Sequence, residues 1–224
     1  MKPFLAIFNI FIDPAEAVNN MEGRFAWVWP FLLACIVGIF VAISTTPLVL
    51  QVMRTNPPAN IPAAQMEKVL ESTTMMSKVS MVTTPLITAL MLAITTLILF
   101  AACSVLDIKT TFGRLFTFSC YAGLILSLAQ IASVIVLKFK GEIQSMKELQ
   151  PSFGPDMFLS EDASGVLVGF LGCLGLFHIW YFVVLVLGLA ALLKITKGKA
   201  LGVASPVIFL FFIFTVAMGM FSNR

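Results

Sequence analysis

The stretch LFHIWYFVVLVLGLAALLKITKGKALG, from Leu176 to Gly202, joins a long uncharged run to a short basic one. Within this stretch, no charged residue precedes Lys194, and two further lysines follow it within five residues. A helix of about 20 apolar residues, rising about 1.5 Å per residue, crosses the ~30 Å hydrocarbon core of a bilayer. The stretch therefore predicts a membrane-spanning helix with a basic exit. His178, the one histidine of the chain, lies inside it.

The same pattern recurs along the rest of the chain. Charged residues make up 11% of the 224, against about 25% in a soluble domain, and mean hydropathy is +1.01. Five windows of 23 to 31 residues lack Asp, Glu, Lys and Arg. These runs do not alternate apolar and polar residues as barrel strands do. The sequence predicts an all-α polytopic membrane helix bundle, one domain over residues 1–224, with spans near Trp27–Leu50, Met81–Leu106, Leu115–Leu137, Val166–Leu193 and Leu201–Phe221.

The segments outside the spans predict short amphipathic surface helices. In the first twelve residues, the apolar side chains of Phe4, Ile7, Phe8 and Phe11 recur at helical spacing. Asp13-Pro14-Ala15-Glu16 then has the composition of a helix start. We expect two uncleaved surface helices here. A further surface helix is expected in AAQMEKVLESTTMMSKV, directly after Pro62. At the start of the third span, Thr110 or Thr111 is expected to cap the helix.

His178 has two interpretations. An ionisable group inside a membrane is a functional candidate, but a neutral histidine also packs by hydrogen bonding to a neighbouring helix. Because no predicted span contains Asp or Glu, we favour packing, with a side-chain hydroxyl or Gln130 as the partner. The four cysteines fall inside predicted spans without a Cys-x-x-Cys pair, so packing is favoured for them too. No metal or other cofactor is expected.

Small residues and prolines give the remaining candidate positions. Gly165-x-x-x-Gly169 fits the pattern that lets two membrane helices approach closely. Pro85 and Pro206 lie inside spans beside hydroxyl residues. Each proline either kinks its helix or interrupts it, as in the broken helices of transporters. We favour a plain kink.

No motif of soluble-enzyme chemistry is present: the sequence lacks a phosphate-binding loop, His-Glu-x-x-His and Gly-x-Ser-x-Gly. We therefore expect no enzymatic activity. The basic patch of Lys194, Lys197 and Lys199 abuts two spans. Lipid headgroups are its expected partner, rather than nucleic acid.

Three stretches, in their order and spacing, resemble the Yip family of Ypt/Rab-GTPase-interacting membrane proteins in its prokaryotic form. They are FNIFIDPAEAVNNM from Phe8, TTFGRLFTFSCYAGLI from Thr110 and LFHIWYFVVLVLGLAALLKITKGKAL from Leu176. The resemblance implies a five-helix bundle with a cytosolic amino end. It also places His178 in the aromatic-x-x-Trp position that ends at Trp180, which implies helix packing. Eukaryotic relatives bind small GTPases through a long amino-terminal region and carry Asp-Leu-Tyr-Gly-Pro. With about 25 residues before the first span and without that motif, this chain is not expected to bind them.

The leading hypothesis is a non-enzymatic integral membrane protein that organises the membrane or assists a transport, export or trafficking complex, in contact with membrane lipids and with other membrane proteins such as an export transporter. Whether it forms an oligomer stays open. The alternatives are a small-molecule transporter or channel subunit in its own right, and a membrane-embedded enzyme using His178. The expected location is the prokaryotic cell (inner) membrane. The short basic links Asp107–Arg114 and Lys194–Ala200 favour the cytosolic side by the positive-inside rule. They agree with a cytosolic amino end and a carboxyl end outside.

Overall fold

A computed structural model describes residues 2–57, 62–141, 143, 145–160 and 163–222. Its regular elements there are all helical, so the all-α prediction is confirmed. Short 3-10 turns lie at Ala63–Gln65, Lys147–Leu149 and Pro155–Phe158. The α-helices are α1 (Lys2–Ile12), α2 (Pro14–Asn20), α3 (Val28–Thr55), α4 (Met66–Val105), α5 (Phe112–Ala122), α6 (Leu124–Lys140), α7 (Gly165–Gly172), α8 (Leu176–Leu193) and α9 (Lys197–Ser222).

Five helical segments of the described chain are long and apolar enough to cross a membrane, which confirms the predicted number of spans. They are Val28–Thr55, Met66–Val105, Phe112–Lys140, Leu176–Leu193 and Lys197–Met220. Large apolar side chains on them point away from the protein: Val82 is 80% exposed, Leu86 71% and Phe214 65%. Water would oppose such exposure by about 25 cal/mol per Å² of apolar surface. Lipid tails solvate the same surface without that cost.

The amino-terminal segment forms the two short helices expected from its pattern. The Asp13 carboxylate accepts hydrogen bonds from the backbone N–H groups of Ala15 and Glu16, each at 3.0 Å, and so caps α2. Helix α1 buries Ala6 and Ile10 completely. Its opposite face carries apolar side chains as well, including Phe8 at 70% exposure. A helix with protein on one side and exposed apolar groups on the other suits the membrane interface.

The prediction of a separate surface helix after Pro62 is wrong. Residues Met66–Val105 form one continuous helix of 40 residues, about 60 Å long at ~1.5 Å per residue. Residues 66–84 contain neither Gly nor Pro, so no residue interrupts the backbone hydrogen bonding between the polar start and the apolar span.

The fourth span was predicted as one helix, Val166–Leu193, and this is also wrong in detail. The segment consists of α7 and α8, separated at Cys173–Gly175. By contrast, α4 continues through Pro85 and α9 through Pro206. Thr111 occupies the N-cap position of α5, but its side chain makes no capping hydrogen bond.

The chain divides into two compact units, and each has its own packed interior. The first comprises Met1–Leu33, Ala89–Leu126 and Ser152–Arg224. Its fully buried side chains include Phe118, Tyr121 and Leu185. The second comprises Ala34–Thr88 and Ser127–Pro151. Its core is made by Val52, Leu137 and Ile143, with Leu48 and Leu149 packed against it.

Candidate functional site

The two predicted packing glycines, Gly165 and Gly169, bring α7 against the carboxyl-terminal half of α9. Both are buried. A Cβ added at Gly169 would lie 2.6 Å from the Cα of Val216 and 2.7 Å from the carbonyl oxygen of Thr215. A Cβ at Gly165 would lie 2.8 Å from the carbonyl carbon of Gly219. The obstructing atoms are backbone, so glycine at these positions is what lets the two helices approach.

Beside this crossing, the break between α7 and α8 is closed by backbone hydrogen bonds and by His178. The carbonyl of Gly172 accepts from the N–H of Gly175 at 3.1 Å. The same oxygen lies 3.0 Å from Nδ1 of His178. Since a carbonyl only accepts, Nδ1 must carry the hydrogen and donate it. His178 thus satisfies an acceptor that the end of α7 leaves without an intrahelical partner.

A loop from the preceding link completes the break. The N–H of Leu176, at the start of α8, donates to the carbonyl of Phe153 at 3.0 Å. Gly154 is buried against Gly175, where an added Cβ would lie 3.0 Å from the Cα of that glycine. Ser152 hydrogen-bonds the Asp156 carboxylate, and its hydroxyl accepts from the N–H of Gly154 at 3.1 Å. The loop is therefore shaped to fit the break.

Asp156 is the functional candidate that sequence reasoning missed. Its carboxylate oxygen lies 3.7 Å from the position a Cβ would take on Gly172, the residue that His178 caps. The charge lies outside every predicted span, so a search for acids within the spans passes over it. Pro155 and Gly154 beside it mark a turn, but a turn signal does not say that the turn packs against a helix end.

The imidazole and the indole next to it lie among aromatic rings. The His178 ring centroid is 4.8 Å from that of Phe211 on α9. The Trp180 ring lies 5.9 Å from Phe11 on α1 and 6.4 Å from Phe177. A side-chain amide or hydroxyl on another helix was the predicted partner of His178. For Nδ1 this prediction is wrong, because Nδ1 is hydrogen-bonded to a backbone carbonyl.

The family model of the Yip1 domain matches residues 8–218. The chain belongs to the Yip1 family. No curated protein and no solved structure gives a significant match to it. The matched range includes Gly165 and Gly169, the broken fourth span and the first four apolar segments, and it ends two residues before the end of the fifth. These are accordingly features of this chain's Yip1 domain.

Pro206 of this Yip1 domain does not leave its helix with an unsatisfied carbonyl. Proline has no N–H to donate to the carbonyl four residues earlier, which here belongs to Gly202. The hydroxyl of Ser205 donates to that oxygen at 2.9 Å. At Pro85 the neighbouring hydroxyls of Thr83 and Thr84 both donate to the carbonyl of Ser80, at 3.3 and 2.7 Å. Local hydroxyls thus bind helix carbonyls at both predicted positions.

The cysteines of the Yip1 domain are all buried, and no disulfide joins them: Cys35, Cys103, Cys120 and Cys173. Cys173 lies at the break, where its Sγ donates to the carbonyl of Gly169 at 3.2 Å. Among the described residues, no three His, Cys, Asp or Glu side chains cluster in a way that could hold a metal ion. What these side chains do is bind backbone groups and fill space between helices.

Proposed function

We propose that this Yip1-family protein is a non-enzymatic multi-pass protein of the prokaryotic cell membrane that organises the membrane or assists a transport, export or trafficking complex. Its means of action are contacts with lipid and with the helices of other membrane proteins. The exposed apolar faces of its spans, for example Leu86 and Phe214, are suited to both kinds of contact.

One observation carries the proposal: two backbone groups at the break in the fourth span, a carbonyl and an N–H, are bonded by the protein itself. Gly172 O is bound by Gly175 and His178, and Leu176 N by Phe153. A substrate or ion site at a broken helix uses such freed groups to hold its ligand. Here they hold the fold together, which favours a structural break over a transport site.

A small-molecule transporter or channel subunit is the second candidate, and the same region gives the observation that favours it. A span interrupted beside a carboxylate (Asp156) and an imidazole (His178) has the general composition of a coupling site. The two candidates differ in a measurable way, because a transporter moves solute by itself.

For orientation, we propose a cytosolic amino end and a carboxyl end outside. Residues 18–24, 111–117 and 191–194 meet around one cavity, and Nη2 of Arg114 donates to the carbonyl of Leu192 at 3.0 Å. These segments are separated from one another by even numbers of spans, so a five-span path places them on one side of the membrane. That side carries the short basic links, which the positive-inside rule assigns to the cytosol.

Cysteine labelling tests this orientation. A cysteine at Lys197 is expected to resist a membrane-impermeant maleimide in intact cells and to react after permeabilisation, whereas one at Gln150 should react in both. Both positions are exposed, and the four native cysteines are buried, so the unsubstituted protein is the background control. Labelling at position 197 in intact cells, with protection at 150, would reverse the proposed orientation.

Substitution of His178 tests the non-enzymatic function. His178→Asn keeps an N–H for the Gly172 carbonyl and removes the second ring nitrogen that acid–base or metal chemistry would need. We expect this variant to match the wild type in thermal stability and in its ability to rescue a strain that lacks the gene. It should also crosslink to the same partner membrane protein as the wild type does. His178→Leu, which lacks the donor, should lose about 0.6 to 2 kcal/mol of stability. A folded His178→Asn protein that fails to rescue would contradict the proposal.

A further inference from the structure

The cavity around which residues 18–24, 111–117 and 191–194 meet lies away from the broken span, where the amino-terminal segment meets the start of α5 and the end of α8. The cavity has a volume of about 680 Å³, within the range of small-molecule sites. Among the described residues, its charged lining groups are Glu22, Arg24, Arg114 and Lys194. Three cations against one carboxylate make it a region of positive potential.

We propose that this cavity binds the phosphate group of an anionic ligand. The proposal deepens the contact with membrane lipids and rests on that part of the proposed function. A phospholipid headgroup and a soluble phosphate compound share the chemistry that the three basic side chains recognise.

The cations come from three separate segments and are placed by the fold. Nη2 of Arg114 donates to the carbonyl of Leu192 at 3.0 Å, which holds the guanidinium at the end of α8. A guanidinium has five N–H donors, so this bond leaves others for a phosphate oxygen. Lys194 follows α8 in the left-handed conformation, with φ of 54°. Arg24 also lines the cavity, and it follows Gly23, which has a φ of 109°.

The backbone at the start of α5 adds to the positive character. Phe112 and Gly113 open this helix and line the cavity, and the first N–H groups of a helix favour an anion. Open space lies in front of Gly113, since an added Cβ there would meet no atom within 4 Å. The side-chain cations remain the main determinant, and the helix start supplements them.

The other wall of the cavity is aromatic. The Trp27 ring lies 5.7 Å from Phe116, and Phe116 is stacked on Phe112 at 6.1 Å; all three residues line the cavity. Tryptophan favours the depth of the lipid headgroups. Basic side chains beside an aromatic wall match an amphipathic ligand, with its phosphate on the cations and its apolar acyl end against the rings.

The test compares lipids bound to the purified full chain. The protein is placed in nanodiscs of equal parts phosphatidylglycerol and phosphatidylcholine, and bound lipid is counted by native mass spectrometry. In a second arm, equilibrium dialysis measures binding of inorganic phosphate. For the wild-type protein, we expect the count of bound phosphatidylglycerol to exceed the count of bound phosphatidylcholine by one molecule. Arg24→Gln/Arg114→Gln/Lys194→Gln should weaken phosphatidylglycerol binding on the order of 100-fold, from about fivefold per cation.

The matched control is Lys68→Gln/Lys78→Gln/Lys109→Gln, which removes the same charge from exposed residues that neither line the cavity nor belong to the basic patch after α8, and it should leave binding unchanged. Arg24→Gln alone keeps the bond from Arg114 to Leu192 and guards against misfolding, with about a fivefold loss expected. Cation-dependent binding of inorganic phosphate without a lipid preference would assign the site to a soluble phosphate.

Two results would overturn the site: binding of neither probe, or an equal loss in the matched control. Neither result would change the expected outcome of the cysteine labelling, of the crosslinking to a partner protein or of a solute-transport assay on the purified protein. A failure of the phosphate site is therefore distinguishable from a failure of the proposed function.

Discussion

The double substitution Gly165→Ala/Gly169→Ala is expected to lower the free energy of unfolding by about 3 kcal/mol or more. The added methyl groups would meet backbone atoms of α9, at 2.6 Å for the Val216 Cα and 2.8 Å for the Gly219 carbonyl carbon. A flexible side chain could turn away from such a collision, but backbone atoms move only if the whole helix moves. The crossing of α7 and α9 must then widen, and the contacts along it are lost.

Gly198→Ala is the matched control. It lies in α9 as well, and an added Cβ there meets no atom within 4 Å. Alanine is the better helix former, so this variant should keep or slightly raise stability. The measurement is the midpoint of thermal unfolding in detergent, followed by circular dichroism. Equal midpoints for the double variant and the wild type would show that α7 does not pack on α9 as closely as described.

The membrane class and the number of spans could be predicted because both depend on local properties. An uncharged window of 23 residues or more is readable without any knowledge of the neighbours, and each such window overlaps an apolar helical segment. The cap of α2 by Asp13 is local too, since donor and acceptor are two and three residues apart. In both cases the residues that determine the structure are close together in the sequence, so the sequence alone is enough to predict it.

The break in the fourth span could not be predicted, because its cause lies partly outside the segment. Gly172 and Gly175 permit an interruption, but glycine is also tolerated in unbroken membrane helices. What fixes the break is the loop around Phe153 and Gly154, together with the bond from His178. Prolines are the stronger sequence signal for a break, yet α9 continues through Pro206, where Ser205 binds the freed carbonyl.

The basic cavity depends on tertiary structure in the same way. Arg24, Arg114 and Lys194 are far apart in the sequence, and no spacing rule relates them. The sequence singled out the lysines after α8 as a basic patch, of which Lys194 alone lines the cavity among the described residues. Only the path of the chain brings its two arginine neighbours to it.

The central claim is that the protein works through contacts and moves no solute by itself, and reconstitution in liposomes tests it most directly. Purified protein in liposomes is expected to give the same solute flux as empty liposomes. The assay covers sugars, amino acids and ions, by swelling for neutral solutes and by membrane current for charged ones. The physical reason is that Gly172 O and Leu176 N, two backbone groups at the broken span, are bound by the protein.

Correct insertion is verified by flotation of the liposomes and by the helical circular dichroism spectrum. Asp156→Asn and Pro206→Ala proteins are measured in parallel, since these positions belong to the transport alternative. Flux indistinguishable from empty liposomes for all three proteins is the predicted result. Saturable flux by the wild type, abolished in the Asp156→Asn protein, would contradict the account and identify a transporter.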